Sequence, residues 1–515
     1  MRILSSYLSG SWQRGQGHSN TLFNAATGAP IAETSTAGLD LDAALQYGRD
    51  VGGPALRSLT FTERGALLTA MSVALRDHRE ALIDLAAENM GATRGDAKFD
   101  IDGASGTLAF YGQLASRLGD TAWLLDGDQI RLSRSKRFVG QHILTPRRGV
   151  AIHINAFNFP AWNMAEKAAC ALLAGVPVLA KPGTATALTA WRIAQLWVEE
   201  AGLPAGAFQL LCGAVGSLLD HVQPQDCIVF TGSGDTAVKI KTHPQVLARN
   251  VPVNVEADSL NAAVLGPDVE VGSDTFHMFL TEVIRELTQK AGQKCTAIRR
   301  ILIPAALLDD AVAGLCERLD QHVIGDPTDR LTTIGALSTP SQKRDVDAGV
   351  AALEASGAER IWGDPTSAPA AGYYVAPQLF LSKDGVNAAF VHDHEVFGPV
   401  ATVLPYDGSV TEAAAIVARG GGCLVTSVFA DDRDWVGPLL LEMAPSHGRL
   451  MWGSARIADQ GTGHGAVMPG LMHGGPGRAG GGAELGGERG LTFYLQRTAI
   501  QGDSALLKRL FGAAD

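Results

Sequence analysis

From Gly149 onward the 515-residue chain alternates short apolar runs with helical periodicity, and this alternation constrains its fold more than any other feature. Runs at 150–154, 177–180, 208–211 and 226–230 read as strands, while 164–173 and 186–200 carry apolar residues at the three-to-four spacing of helices. Strands separated by helices at this interval are joined by crossovers, not hairpins, so the pattern predicts an α/β fold with an open parallel sheet. Gly232-Ser233-Gly234-Asp235-Thr236-Ala237 follows the last of these strands and opens another helix, where free amides can face a phosphate. This GxGxxA pattern closes the series, whereas an ordinary dinucleotide fold opens with it. Glu256, spaced like the acid that would bind ribose hydroxyls, therefore needs another role.

A chain of this length with 46% hydrophobic residues can bury more than one core, so two or more domains are expected. The net charge of -11 argues against nucleic acid as a partner. A basic stretch at 131–137 lacks stacking aromatics and reads as the solvated part of a protruding strand pair over 126–148. Six cysteines lie far apart without a CxxC pair, as suits a reducing compartment. The N-terminus turns polar before a signal-length apolar run develops, and the run 168–180 is broken by Gly175 and Pro177. A cytoplasmic protein without a membrane span is expected.

Short β-type runs occupy 7–33, with a hairpin signal at 24–28, and helical periodicity follows at 39–49, 60–77, 79–89 and 100–115. After Asn261 a second α/β unit is expected, with helices at 274–290, 306–321 and 341–356 and strands at 301–303 and 375–381. His392-Asp393-His394-Glu395 invites a metal reading, but only alternate side chains share a face on a strand or turn and no third ligand stands nearby. No metal is expected. The Gly-rich run 473–482 lies between patterned segments and leads into a strand-like stretch at 491–498, which favours an ordered loop lining a site over a linker.

Between the helical pattern ending at Lys290 and the strand beginning near Ile298, Ala291-Gly292-Gln293-Lys294-Cys295-Thr296-Ala297 presents a lone thiol at a junction. Free backbone N–H groups there would favour the nucleophilic thiolate. A small buried cysteine fits these seven residues equally well.

Six dispersed motifs bear on that choice. Asn155-Ala156-Phe157-Asn158-Phe159-Pro160, Lys181-Pro182, Phe230-Thr231-Gly232-Ser233, Val255-Glu256-Ala257, Gly292-Gln293-Lys294-Cys295 and Glu395-Val396-Phe397-Gly398-Pro399 occur in that order, and through them nearly the whole chain resembles the aldehyde dehydrogenase superfamily. The resemblance implies the aldehyde dehydrogenase fold: a Rossmann-like parallel-sheet cofactor domain (1–125 and 149–257), an α/β catalytic domain (258–487) and a β oligomerisation arm (126–148 and 488–502). It implies that Cys295 attacks the aldehyde, that Asn158 and the Cys295 amide hold the oxyanion, and that Glu256 activates the water that releases a free acid. Acylating relatives that use coenzyme A as acceptor typically lack this carboxylate. Lys181 is implied as a cofactor-ribose contact, Ser233 as a pyrophosphate contact, and Glu395 and Phe397 as holders of the nicotinamide ribose and ring. Lys167 and Glu484 match positions that assist proton movement, with a structural salt bridge as the alternative.

Departures from the family pattern carry information too. Thr184 stands where many NAD-preferring members have a glutamate, which tilts the expectation toward NADP with NAD as the alternative. Phe157 replaces the usual tryptophan, Ala257-Asp258 a Gly-Gly pair, and Ala237 a glycine. Within the superfamily, 154–160, 256–261, 292–300 and 473–487 are most similar to a branch that oxidises CoA-linked semialdehydes in aerobic aromatic-acid breakdown, of the 3-oxo-5,6-dehydrosuberyl-CoA or 3,4-dehydroadipyl-CoA type. The competing expectation is a broad dehydrogenase of small free aldehydes. Some members of the branch continue into a hydratase domain; this chain stops at Asp515, so ring hydrolysis is expected to be absent or supplied by a separate protein. A homodimer or homotetramer is implied, built through the arm.

Overall fold

Strand β1 (Ala151–Ile154) is buried at every position and lies between two parallel neighbours, β2 (Val178–Lys181) and β4 (Cys227–Thr231). With β3 (Phe208–Leu210) and β5 (Val253–Glu256) the parallel order is β5-β4-β1-β2-β3, and the short strands Ser6–Leu8 and Ser11–Gln13 extend the β3 edge antiparallel. The chain leaves β1 in one direction and later returns to its other side. This order reversal opens a crevice beyond the carboxyl ends of β1 and β4, where ligands of open α/β sheets bind. The computed structural model that shows this describes residues 1–511.

Helix α1 (Trp162–Ala174) connects β1 to β2 and is buried along almost its whole length, as its Ala- and Leu-rich sequence allows; it stops where Gly175 takes φ +86°. α2 (Ala187–Glu200) connects β2 to β3, and α3 (Gly234–Lys241) follows β4 with Ser233 as its N-cap. The helices at Phe61–Asp77, Arg79–Met90 and Arg94–Leu118 pack with α1 and α2 on one face of this sheet.

A second sheet is built from β6 (Asn261–Leu265), β7 (Ile298–Pro304), β8 (Glu359–Trp362), β9 (Gln378–Leu381), β10 (Val400–Tyr406), β11 (Cys423–Phe429) and β12 (His447–Gly453), in the order β8-β9-β10-β7-β6-β11-β12. Only the β8–β9 pair is antiparallel. Helix α4 (Asp274–Thr288) starts at a Ser273 cap that accepts from the Phe276 N–H. Its Phe276, Phe279, Leu280, Val283, Ile284 and Leu287 recur every three or four residues and are buried against this sheet. Complete burial of a side chain such as Phe279 contributes roughly 1.5–3 kcal/mol.

Strand Phe138–Pro146 runs antiparallel to Leu495–Asp503, from the Pro146–Leu495 pair to the Phe138–Asp503 pair, and stands apart from both sheets with short partners at Leu124–Leu125 and Ile130–Arg131. The strand expected from 491 begins at Leu495. Residues Gly487–Tyr494 instead form 3₁₀ turns whose Leu491 and Tyr494 are buried in the first core. The Gly-rich run is ordered: Met472–Gly474 and Ala483–Leu485 pair antiparallel, and the Gly482 N–H donates to the Val255 carbonyl at 2.9 Å. No helix among the described residues is long and apolar enough to cross a membrane.

Candidate active site

The thiol of Cys295 is half-buried on a loop with an unusual backbone. Lys290 and Ala291 adopt φ of 54° and 50°, and Gly292 continues the left-handed run at φ +69°. A left-handed non-glycine residue costs roughly 1–2 kcal/mol. Several buried contacts hold it: the Lys290 N–H donates to Asp96 (2.9 Å), Arg299 donates to the Gly292 carbonyl (2.9 Å), and the Gln293 side chain spans from the Lys290 carbonyl to the Ser338 N–H. At Gly292 a Cβ would lie 2.2 Å from the Gly398 carbonyl oxygen, so only glycine lets this loop close against the 395–399 loop.

Cys295, Asn158, Thr231 and Glu256 line two cavities at once. The larger, about 520 Å³, lies at the sheet crevice and is bounded by Phe157, Ser233, Glu395 and Phe397. The narrower one shares the thiol and is lined besides by Phe99, Phe159, Trp162, Val467 and His473. Sequence position separates these residues by hundreds of places; the two sheets bring their loops together.

Asn158 Nδ2 donates one of its two hydrogens to the Gln293 carbonyl at 3.0 Å, leaving the other uncommitted. Glu395 accepts from the Ser259 N–H at 3.1 Å and lies 3.2 Å from Arg299 Nε; burial, opposed by Arg299, lifts its carboxyl to about 7. Phe397 packs between the Arg299 guanidinium, 5.3 Å from its ring centroid, and Phe157, 5.9 Å away edge-on. The Ser233 hydroxyl is within hydrogen-bond distance of Thr236, and the Gly234 N–H donates to Asp258 at 3.0 Å, so α3 offers fewer free amides to a phosphate than the glycine spacing suggested. Lys181 and Thr184 lie at the carboxyl end of β2 and do not line the large cavity, with Nζ and Oγ1 3.3 Å apart.

A buried charged network backs the thiol. Glu256 Oε2 lies 3.2 Å from His473 Nε2; burial would raise the Glu256 carboxyl, but His473, with Lys167 beyond it, holds it down at about 2. The carboxylate raises His473 in turn, against the effect of burial. Lys167 Nζ lies 3.0 Å from Glu484 and 3.2 Å from Glu166, so the salt bridge considered for Lys167 and Glu484 is present. Oxygens of Glu166, Glu256 and Glu484 fall within 4.8 Å of one another, and burial lifts Glu166 to about 7 despite Lys167. The expectation that amides would favour a Cys295 thiolate is corrected: burial, then the nearby Glu256 carboxylate, push the thiol well up. The thiol therefore rests protonated.

Sequence reasoning missed Glu166 and His473. Glu166 adjoins the flagged Lys167, and His473 faces Glu484 across the hairpin, in register. His392, at the head of the suggested metal cluster, turns inward: one ring nitrogen faces Arg300 at 3.2 Å and the other the Gly385 carbonyl at 2.9 Å.

The aldehyde dehydrogenase family profile matches residues 12–500. The chain belongs to the aldehyde dehydrogenase family. It is thus an oxidoreductase acting on aldehydes. It is 44% identical over 481 residues to a 3,4-dehydroadipyl-CoA semialdehyde dehydrogenase of Aromatoleum evansii, covering 92% of this chain and 93% of the relative. Its fold is shared with a lactaldehyde dehydrogenase structure (TM-score 0.86, 21% identity, 98% of this chain and 100% of that one). The betaine aldehyde dehydrogenase of Staphylococcus aureus in complex with NAD+ is similar as well (TM-score 0.84, 22% identity, 99% and 96%).

Proposed function

We propose that the chain oxidises a CoA-linked semialdehyde to its carboxylic acid, using a nicotinamide dinucleotide with preference for NADP. The observation that carries the reading is the position of Cys295 and Glu256 at the junction of the two cavities, in a chain so similar to a CoA-semialdehyde dehydrogenase. A bound dinucleotide would accept the hydride. The large cavity fits such a group: it lies at the sheet's order reversal, and the buried Thr231 hydroxyl on its wall has no partner among the described residues. Ser233, Glu395 and Phe397 are the contacts assigned to it there, with Lys181 and Thr184 toward the adenosine end and residues 1–125 and 149–257 as its domain.

The protonated Cys295 thiol gives its proton to Glu256 as the sulfur attacks the aldehyde carbon, and the free Asn158 N–H with the Cys295 N–H holds the resulting oxyanion. Once the thioester has formed and Glu256 has given up the thiol's proton, its carboxylate draws a proton from water, which attacks the thioester. The acid is released and the departing Cys295 sulfur is reprotonated by Glu256, so each turnover leaves one proton, the thiol's, to be removed from the site. The Glu166–Lys167–Glu484 network carries that proton away, and its one carboxyl near 7 can hold it at neutral pH. Exposed Ile130, Leu132 and Phe138 on the arm form the contact of a homodimer or homotetramer, in a cytoplasmic enzyme of aerobic aromatic-acid breakdown.

The test compares NADPH formation with 3,4-dehydroadipyl-CoA and 3-oxo-5,6-dehydrosuberyl-CoA semialdehydes against free hexanal at matched concentration. A kcat/KM at least about 100-fold higher for one CoA-linked substrate is expected. Equal values would favour the broad free-aldehyde reading instead.

A further inference from the structure

We infer that Cys295, His473 and Glu256 together form a binding site for a thiophilic divalent cation of the zinc type, and that its occupation reversibly blocks the enzyme. Cys295 Sγ, a ring nitrogen of His473 and a carboxylate oxygen of Glu256 lie within 4.8 Å of one another, converging from the 291–297 loop, strand Met472–Gly474 and the end of β5. A tetrahedral zinc holds sulfur at about 2.3 Å and nitrogen or oxygen at about 2.0–2.2 Å, which brings its ligand atoms to roughly 3.2–3.7 Å from each other. The His473–Glu256 separation of 3.2 Å already satisfies this, and small side-chain rotations bring the thiol in.

A second, independent observation points the same way. Glu256 is 1% exposed, and among the described residues neither of its carboxylate oxygens has a hydrogen-bond partner; Oε2 has the ion-pair contact with His473 at 3.2 Å. A buried carboxylate with no hydrogen bond among the described residues, a thiol and an imidazole form a ligand set that favours zinc over magnesium or calcium, which prefer all-oxygen shells. The neighbouring Glu166–Glu256–Glu484 cluster is a poorer site because the Lys167 ammonium already stands beside two of its carboxylates. An ion reaches the tripod through the large cavity, and water completes its fourth position. Coordination releases the thiol proton to solvent, occupies the nucleophile and the base together, and competes with the aldehyde for Cys295.

Metal binding itself is the readout, so the test does not depend on identifying the substrate. The full chain is dialysed against zinc and analysed for bound metal, and cobalt is titrated as a spectroscopic substitute. One zinc per chain is expected, removable by chelator with return of aldehyde oxidation, and cobalt should give a thiolate-to-metal charge-transfer band. Cys295→Ala should lose the band and weaken zinc binding more than about 100-fold, while Cys316→Ser, on the helix Leu308–Leu319, should keep both. His473→Asn should weaken binding and His473→Cys should restore it, since a thiolate is as good a zinc ligand; a variant whose circular dichroism departs from the parent is replaced by His473→Gln. Binding that survives Cys295→Ala, or His473→Cys binding no tighter than His473→Asn, would place the ion elsewhere and overturn the assignment.

Discussion

Asn261 Nδ2 donates to the Cys295 carbonyl at 2.8 Å and to the Ala297 carbonyl at 3.0 Å, while its Oδ1 accepts from the Ser259 hydroxyl and the Val425 N–H. One buried amide thus ties the thiol loop to β6 and, through Val425, to β11. Each buried hydrogen bond contributes about 1 kcal/mol, and an orphaned partner costs more. Asn261→Ala is expected to destabilise the chain by about 2–4 kcal/mol in urea unfolding and to lower kcat at least about tenfold with KM little changed. An unaltered kcat would show that the loop holds its position without this side chain.

Cys295 and Glu256 have separable tasks in the proposed reaction. Cys295→Ala should abolish oxidation. In Glu256→Gln the first turnover should still reduce cofactor, at a lower rate because the protonated thiol has lost its nearest base, and deacylation should then stall. Stopped-flow absorbance reads this as a burst approaching one equivalent per site, followed by a steady rate reduced about 100- to 10,000-fold. A full steady-state rate in this variant would remove Glu256 from the mechanism.

At the carboxyl end of β2, Lys181 Nζ stands 3.3 Å from the Thr184 hydroxyl, which donates to the Gly213 carbonyl at 3.0 Å. A carboxylate at 184 would pair with Lys181 and accept from ribose hydroxyls while repelling a 2′-phosphate. Thr184→Glu should therefore shift the ratio of kcat/KM for NADP to that for NAD at least about tenfold toward NAD. An unchanged ratio would assign cofactor choice to other contacts.

The strand–helix alternation made the first parallel sheet legible, because crossovers leave long periodic runs between strands; in the second sheet only the strands near 301–303 and 375–381 were expected, and the other five were not. The motifs at Asn158, Glu256 and Cys295, where residue type and local pattern coincide, led to side chains that line the same two cavities. The site was not legible where chemistry depends on long-range packing. The left-handed turn at Lys290 and Ala291 is imposed by Asp96, Arg299 and Ser338, so no glycine pattern announces it. The thiol's ionisation was misjudged for the same reason: local amides were visible in the sequence, but the carboxylates of Glu256, Glu166 and Glu395 arrive from distant segments. Leu491 and Tyr494 were read as strand from their β-type neighbours, yet their three-residue spacing suits the 3₁₀ turn that buries both.

Glu166 sets the last expectation, a dependence of stability on pH. Its carboxyl moves from the ordinary 4.5 to about 7 on folding, chiefly through burial, so between these values the folded chain keeps a proton that the unfolded chain has lost. Stability from this group is therefore full below about 4.5 and declines as pH rises through 7, the opposite of Glu256, whose lowered carboxyl contributes above 4.5 and loses its contribution as pH falls toward 2. Glu166→Gln keeps an acceptor for Asn163 Nδ2, now 2.8 Å from the Glu166 carboxylate, and removes the buried charge. At pH 8 the variant should be more stable than the parent by on the order of 1–3 kcal/mol, and the difference should shrink at pH 5. If Glu166 also receives the proton drawn off by Glu256, the same variant should lower the deacylation rate and flatten its pH profile near 7. A stability gain with an unchanged profile would leave Glu166 a buried charge without a part in proton movement.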